Sequence, residues 1–388
     1  MRKLYLHIGH SKTGSSFLQA SFANSVDVLA AHGIDYPGDP SEAATGWKIS
    51  SGNGQALLTD PPEAFSVTRD RVFFSAERLF RAFAVEPDWS GRLAAFCAHH
   101  DIGEVEVLMF LRDPIPHAES SYQQMVKRGG ATESVEATFA NYAYPELVRD
   151  ALKRDYGAVP VTWHLFNYDR HKTELIEITE RFLDLPAGSL VRGGDRPVNR
   201  SMTASELTVL RGLNAHDPRA ASALADALCN EVPDVDSETV FPARPVQREM
   251  LRRLSRAMAE VDAMLDEGER YGTELCQPAR EPRRHVFTPQ QIEILTGVLG
   301  RRVSGVTLQM QMERVRRLIN VAQLQIHRER IAEAEDSLMR AQATLQGLDP
   351  EAHPDVAGLT RMVNKLRAGL AARPKIDDQA AAQPQVED

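Results

Sequence analysis

The stretch HIGHSKTGSSFLQ, residues 7–19, limits what this chain can become more than any other. The apolar run LYLHI that leads into it reads as a short buried strand. SSFLQASFANSVDVLAAHG after it has helical spacing, with Phe17, Leu18, Phe22, Val26 and Leu29 near one face. A strand, a glycine turn and a helix N-terminus form an anion site, since backbone N–H groups and the helix dipole both point at the ligand. Lys12, Thr13, Ser15 and Ser16 add donors. Gly9 and Gly14 carry the glycine spacing of a Walker A loop, but Ser15 stands where that loop has its lysine, and the only lysine is Lys12, ahead of the second glycine. An ATPase or kinase is disfavoured.

A second segment complements the first. VEVLMFL, residues 105–111, is another apolar β-branched and aromatic run, followed by RDPIPHAESSYQQMVKRG. Asp113 and Pro114 have the order of an N-cap and first helical residue, so Arg112 falls at a strand end and Ser120 about two turns into the next helix. An arginine and a hydroxyl converging from such positions suit a second phosphate, the guanidinium as a charged fork and the hydroxyl as a neutral donor.

Together the two segments resemble the nucleotide-binding motifs of sulfotransferases that use 3′-phosphoadenosine 5′-phosphosulfate (PAPS). That family pairs a K-[ST]-G-[ST]-[ST] loop for the 5′-phosphosulfate with an arginine followed eight residues later by a serine for the 3′-phosphate. The matching residues are Lys12, Thr13, Gly14, Ser15 and Ser16, then Arg112 and Ser120. The R-D-P opening and Tyr122, two residues after the serine, look more like the carbohydrate-directed branch. The resemblance covers roughly residues 1–185 and thins through about 215. It implies a glycan or glycolipid acceptor. In this family a loop also closes over the nucleotide, and Arg196, Asn199, Arg200 and Ser201 in PAGSLVRGGDRPVNRSMT are candidates for it; an ordinary linker capped by Thr203 is the alternative.

Further strands are expected at 71–75 and 161–165, and helices at 89–100, 114–128, 133–153 and 170–184. Strands alternating with helices give an α/β fold: a P-loop-like parallel sheet flanked by helices, with ligands at the carboxyl ends of the strands. Residues 38–70, rich in Gly, Ser, Thr and Pro, read as a surface excursion, either a plain loop or a substrate lid. Past residue 204 strand patterns stop. Leu308, Met312, Val315, Ile319, Ala322 and Ile326 recur by four and three, as do Ile331, Ala334, Leu338, Ala341 and Leu345, and then Leu359, Val363, Leu366 and Leu370. The expected domains are a nucleotide-binding α/β domain over 1–215, a helical region over 216–303 that completes or flanks its core, an α-helical C-terminal hairpin or coiled-coil extension over 304–373, and a polar, disordered tail over 374–388. The extension packs on the core, forms a homodimer or docks a partner.

A formal charge of −9 argues against nucleic acid as a partner, so any anion site must be local. Cys97, Cys229 and Cys276 lack zinc or redox spacing, no histidine or carboxylate cluster has metal-ligand spacing, and no apolar segment approaches the ~20 residues of a membrane span. The apolar run of MRKLYLHIG is too short for a signal peptide, and a cytoplasmic protein is expected.

The resemblance also implies a mechanism. Sulfuryl transfer needs in-line alignment and charge stabilisation on the leaving oxygen, a task that falls to Lys12 without a metal. The acceptor must lose a proton, and Glu77, following the strand RVFFS, is the first candidate base; the alternative is a helix-terminal carboxylate paired with Arg78 or Arg81. His7, His117 and His164 are other candidates. A P-loop kinase or NTPase, and a nucleotide-bound scaffold whose helical C-terminus is the working part, are the competing functions.

Overall fold

The strands Arg2–Ile8 (β1), Ile34–Asp35 (β2), Arg71–Ala76 (β3), Ile102–Leu111 (β4) and Val161–Asn167 (β5) lie parallel in one sheet, in the order β2-β3-β1-β4-β5. The computed structural model describes residues 1–38, 42–46, 52–157, 159–193, 200–279, 285–349 and 353–372. They fall into two units, Met1–Ile294 and Leu295–Asp388.

In the first unit, strand alternation sends side chains to two faces. Leu4, Leu6 and Ile8 of β1 join Val72 and Phe74 of β3 and Val105, Val107 and Met109 of β4 in one core, whereas Tyr5, Phe73, Leu108 and Phe110 join a second core on the other face. Helices cover both. Leu18 and Phe22 of the helix Ser15–Ala23 and Ile176 and Ile178 of the helix Leu175–Phe182 fill the second core. The first is covered by helices that include Glu77–Val85, Pro114–Arg128, Val135–Asn141 and Tyr144–Lys153. The helix Arg244–Asp262, far beyond the last strand, adds Met250, Leu254, Met258 and Val261 to that same core.

Two single helices of the sequence reading are broken. Residues 15–33 form Ser15–Ala23 and Val26–Ala31. Residues 133–153 form Val135–Asn141 and Tyr144–Lys153, because Pro145 has no N–H for the Asn141 carbonyl and its ring crowds that carbonyl. Part of the 38–70 excursion is built into the core: Asn53 Nδ2 donates to the Phe73 carbonyl at 3.1 Å, its Oδ1 accepts from Ser75 N at 2.8 Å, and Leu57 is buried.

The order of strands places the site. β1 is central, with β3 on one side and β4 on the other, so the connections after β1 and β4 leave the sheet side by side, the position where open α/β sheets hold ligands.

The second unit starts within the helix Pro289–His327 and continues through Ile331–Gln346 and Pro354–Ala371. Val315, Ile319 and Ala322 pack with Ala334, Leu338 and Ala341 and with Val356, Leu359 and Val363 in a core of their own. Among the described residues no helix is long and apolar enough to cross a membrane.

Candidate functional site

The loop 9–14 is shaped by backbone that ordinary residues avoid. Lys12 and Gly14 both have left-handed φ, 63° and 78°. At Gly14 a side chain would also strike Leu175 Cδ1 at 2.6 Å, and at Gly9 it would meet Glu77 Cγ and Ser15 Oγ, both at 2.7 Å. Both glycines are therefore needed, one for conformation and one for close approach. Gly14 caps the helix Ser15–Ala23 without a side-chain hydrogen bond. Among the described residues the N–H groups of Lys12, Thr13, Gly14, Ser15 and Ser16 have no acceptor. Five free amides around a left-handed turn at a helix N-terminus form an anion nest.

The second segment closes on the first. Arg112, at the end of β4, donates Nη1 to the Lys12 carbonyl at 3.2 Å, lies 3.5 Å from Asp169 Oδ1, and rests over the Tyr168 ring with its centroid at 5.5 Å. Gln124, on the helix Pro114–Arg128, accepts from Lys12 Nζ at 3.3 Å. Ser120 lies one turn before Gln124 on the same helix face, and its hydroxyl has no partner among the described residues.

Charge is tuned locally. Burial, helped by the charges of Lys127 and Arg112, lowers the pKa of Lys12 to about 8, while Glu77 pulls it up. Burial raises Glu77 above its ordinary value, and Lys12 and Ser15 hold the rise back. Glu77 exposes much of its surface, yet its carboxyl is crowded enough by protein to be desolvated. Among the described residues it has no ion pair with Arg78 or Arg81. Lysine and carboxylate thus face each other electrostatically, each with its charged form made more costly by burial.

Among the described residues, buried polar atoms without a hydrogen-bond partner here include His10 Nδ1, Ser121 Oγ and both polar atoms of the Gln19 amide. A native fold rarely leaves such atoms unpaired unless a ligand or water meets them. With the free amides, they fit a group rich in anionic oxygens.

The other candidates divide. The Thr13 hydroxyl donates to the His10 carbonyl, so it shapes the loop instead of facing a ligand. His7 is buried against Phe22 and Phe110, shares a 2.8 Å hydrogen bond with Ser75 Oγ, and has its pKa lowered to about 4 by desolvation. His164 bonds Glu106 at 2.7 Å, away from the loop. His117 is buried with a strongly depressed pKa, and both ring nitrogens are occupied: Nε2 meets the Ser11 carbonyl at 2.8 Å and Nδ1 meets Tyr142 OH at 2.7 Å. Since a carbonyl only accepts, Nε2 carries the proton and the tyrosine hydroxyl donates to Nδ1. His117 holds the loop and has no free nitrogen to act as a base.

Arg200 is not brought to the phosphate loop. Its guanidinium is buried against Glu206, at 2.6 and 2.8 Å, and donates to the carbonyls of Val232, Ser201 and Leu228. Only its backbone carbonyl turns toward the site, accepting from Lys127 Nζ at 3.1 Å. Glu206 also closes a capping box with Thr203. A nucleotide phosphate would have to displace all of these contacts. Arg196 and Asn199 lie outside the described residues.

Sequence reasoning missed Gln124, Tyr142, Tyr144, Tyr168 and Asp169. Tyr168 and Asp169 directly follow β5, so the rule that ligands meet strand carboxyl ends could have found them. Tyr142 and Tyr144 sit in the helix break that Pro145 creates. Together with Ser11, Lys12 and residues of the Pro114–Arg128 helix they line a cavity of about 490 Å³. Among the described residues no group of three His, Cys, Asp or Glu side chains could hold a metal.

Comparison with known proteins returns nothing: no family model, no curated protein and no solved structure matches this chain.

Proposed function

We propose that this protein is a sulfotransferase that moves a sulfuryl group from PAPS to a hydroxyl or amine acceptor. The observation that carries the reading is the hydrogen bond from Arg112 to the Lys12 carbonyl, which joins two segments 100 residues apart into one cationic site. It supports a ligand with two separate phosphates better than a single-phosphate loop does.

PAPS, when bound, supplies an activated sulfuryl group and a phosphate leaving group. Free amides of residues 12–16 and the hydroxyls of Ser15 and Ser16 would hold the 5′ end, and Arg112 with Ser120 the 3′-phosphate. Lys12, protonated at neutral pH with its charge poorly solvated, would stabilise negative charge developing on the leaving oxygen more strongly than a lysine in water could. Glu77 would take the acceptor proton; burial raises its basicity while Lys12 moderates the rise. The resemblance to the carbohydrate-directed branch, taken alone, implies a glycan or glycolipid acceptor, and the cavity beside Lys12 is the feature against which that choice is weighed. Three free cysteines accord with a reducing, cytoplasmic setting.

Calorimetry with 3′-phosphoadenosine 5′-phosphate (PAP), ADP and ATP with magnesium tests the reading. PAP should bind most tightly, Arg112→Ala should erase its advantage over ADP, and Ser120→Ala should reduce it by about 1 kcal/mol. Tighter binding of ATP with magnesium would replace this reading with a kinase or NTPase, and absence of nucleotide binding would replace it with a scaffold.

A further inference from the structure

The cavity beside Lys12 is walled by residues 133–147 on one side and by Ser121, Gln124 and Met125 of the Pro114–Arg128 helix on the other. Its volume of about 490 Å³ lies in the range that encloses a small organic molecule. Tyr142 and Tyr144 stack at 5.6 Å between centroids, and Leu147, Ala137 and Met125 complete a mostly apolar lining. Met125 is 39% exposed, a large apolar side chain open to this space.

Most polar tips in the wall are already engaged. Ser11 Oγ and Tyr144 OH bond each other at 3.0 Å, Tyr142 OH is held by His117, and Gln124 Oε1 accepts from Lys12. Among the described residues of the lining, Ser121 Oγ is buried without a partner, and the Thr138 hydroxyl and the Gln124 amide N–H groups are the other donors left within it. Glu133 and Asn141 are exposed and belong to the rim. A sugar, with a hydroxyl on nearly every carbon, would lose hydration on entry and find few groups to replace it. Each polar group left unpaired in this way weakens binding.

We infer that this cavity is the acceptor pocket and that the acceptor is a compact alcohol or phenol with an aromatic or apolar body, in place of the glycan expected from sequence. The inference rests on the sulfotransferase reading. The apolar body lies against Tyr142, Tyr144 and Met125, Ser121 orients it, and its hydroxyl points to the Lys12 end. There the acceptor oxygen bonds to sulfur while the bond from sulfur to the bridging phosphate oxygen breaks. The electron pair leaves with that oxygen opposite the Lys12 ammonium, the hydroxyl proton passes to Glu77, and the products are a sulfate ester and PAP.

The test uses the full chain loaded with PAP and titrated with 2-naphthol or with methyl glucoside as probes. Naphthol should bind and the glucoside should not. Ala137→Trp, which fills the cavity, should weaken naphthol binding at least tenfold while leaving PAP affinity unchanged. Met125→Glu, at an exposed position that tolerates charge, should do the same if the tryptophan variant fails to fold. Naphthol binding that is absent, or that both variants leave unchanged, overturns the inference, as does tighter binding of the glucoside. If the chain does not bind PAP but naphthol still binds and is lost in the variants, the nucleotide reading fails while the apolar pocket stands.

Discussion

In the C-terminal unit the buried side chains answer one another. Val315, Ile319 and Ala322 meet Leu338 and Ala341, and those meet Val356 and Val363. Around Gly9–Ser16 the opposite holds: backbone is left-handed at two positions, and among the described residues five amides have no acceptor and buried polar atoms of Gln19 and His10 lack hydrogen-bond partners. Among the described residues, none of the unpartnered buried polar atoms falls in the C-terminal unit. One region has its interactions satisfied within the fold and the other keeps them open. The contrast teaches where substitutions should cost stability and where they should cost binding.

Arg200 offers the sharpest way to break that contrast, because it lies in the α/β unit and yet has every partner filled. Arg200→Ala should lose about 3–5 kcal/mol of stability, the cost of leaving Glu206 charged and buried, with PAP affinity changed little. Denaturant unfolding with calorimetry checks it, and a selective loss of PAP binding in a stable fold would return Arg200 to the nucleotide site. Leu338→Ala, in the core of the second unit, should cost about 2–5 kcal/mol in the same assay, again without effect on PAP.

Lys12→Ala should reverse the pattern. Turnover should fall by roughly two to three orders of magnitude, about 2.7–4 kcal/mol of transition-state stabilisation. Stability at pH 7 should hold or rise. Folding lowers the Lys12 pKa from 10.5 to about 8, so the fold disfavours its charged form, and between those values the unfolded chain binds more protons. In the wild type, the contribution of Lys12 to stability therefore increases as pH rises from 8 to 10.5. Thermal melts of both proteins across that window should converge as the lysine becomes neutral.

A smaller effect separates the glycines. Gly14 and Gly33 both have positive φ, so alanine at either should cost about 1–2 kcal/mol for conformation, with more at Gly14, where the added carbon strikes Leu175 Cδ1, and only Gly14→Ala, in the phosphate loop, should also weaken PAP binding. The mildest expectation concerns pH alone. A bound phosphate favours protonated Lys12, so above pH 8 binding must take up a proton and PAP affinity should fall, by at most about tenfold per pH unit. Calorimetry in buffers of different ionisation enthalpy would detect that proton, and none taken up would separate Lys12 from the phosphates.

Much of the frame was legible because local rules agree with the fold. The expected strands at 71–75, 105–111 and 161–165 lie within β3, β4 and β5, and the helix expected at 114–128 runs from Pro114 to Arg128, started by Asp113 and Pro114 and ended before Gly129. The three apolar stripes past residue 304 are the ones that pack in the second core. They cover one another, so their apolar character alone does not require a second copy of the chain.

Sequence by itself determined most of the longer elements and the loop, since strand alternation, helical period, an N-cap and glycine spacing are properties of neighbouring residues. It did not reach the contacts that make a site. His117 binds the Ser11 carbonyl across 106 positions, Arg112 reaches Lys12 across 100, and Arg200 turns from the loop to Glu206. The cavity beside Lys12 exists because Pro145 interrupts a helix and the break is then packed against the Pro114–Arg128 helix. Those outcomes belong to tertiary structure, because which polar groups find partners, and which stay open for a ligand, depends on elements that meet only when the sheet has brought their ends together.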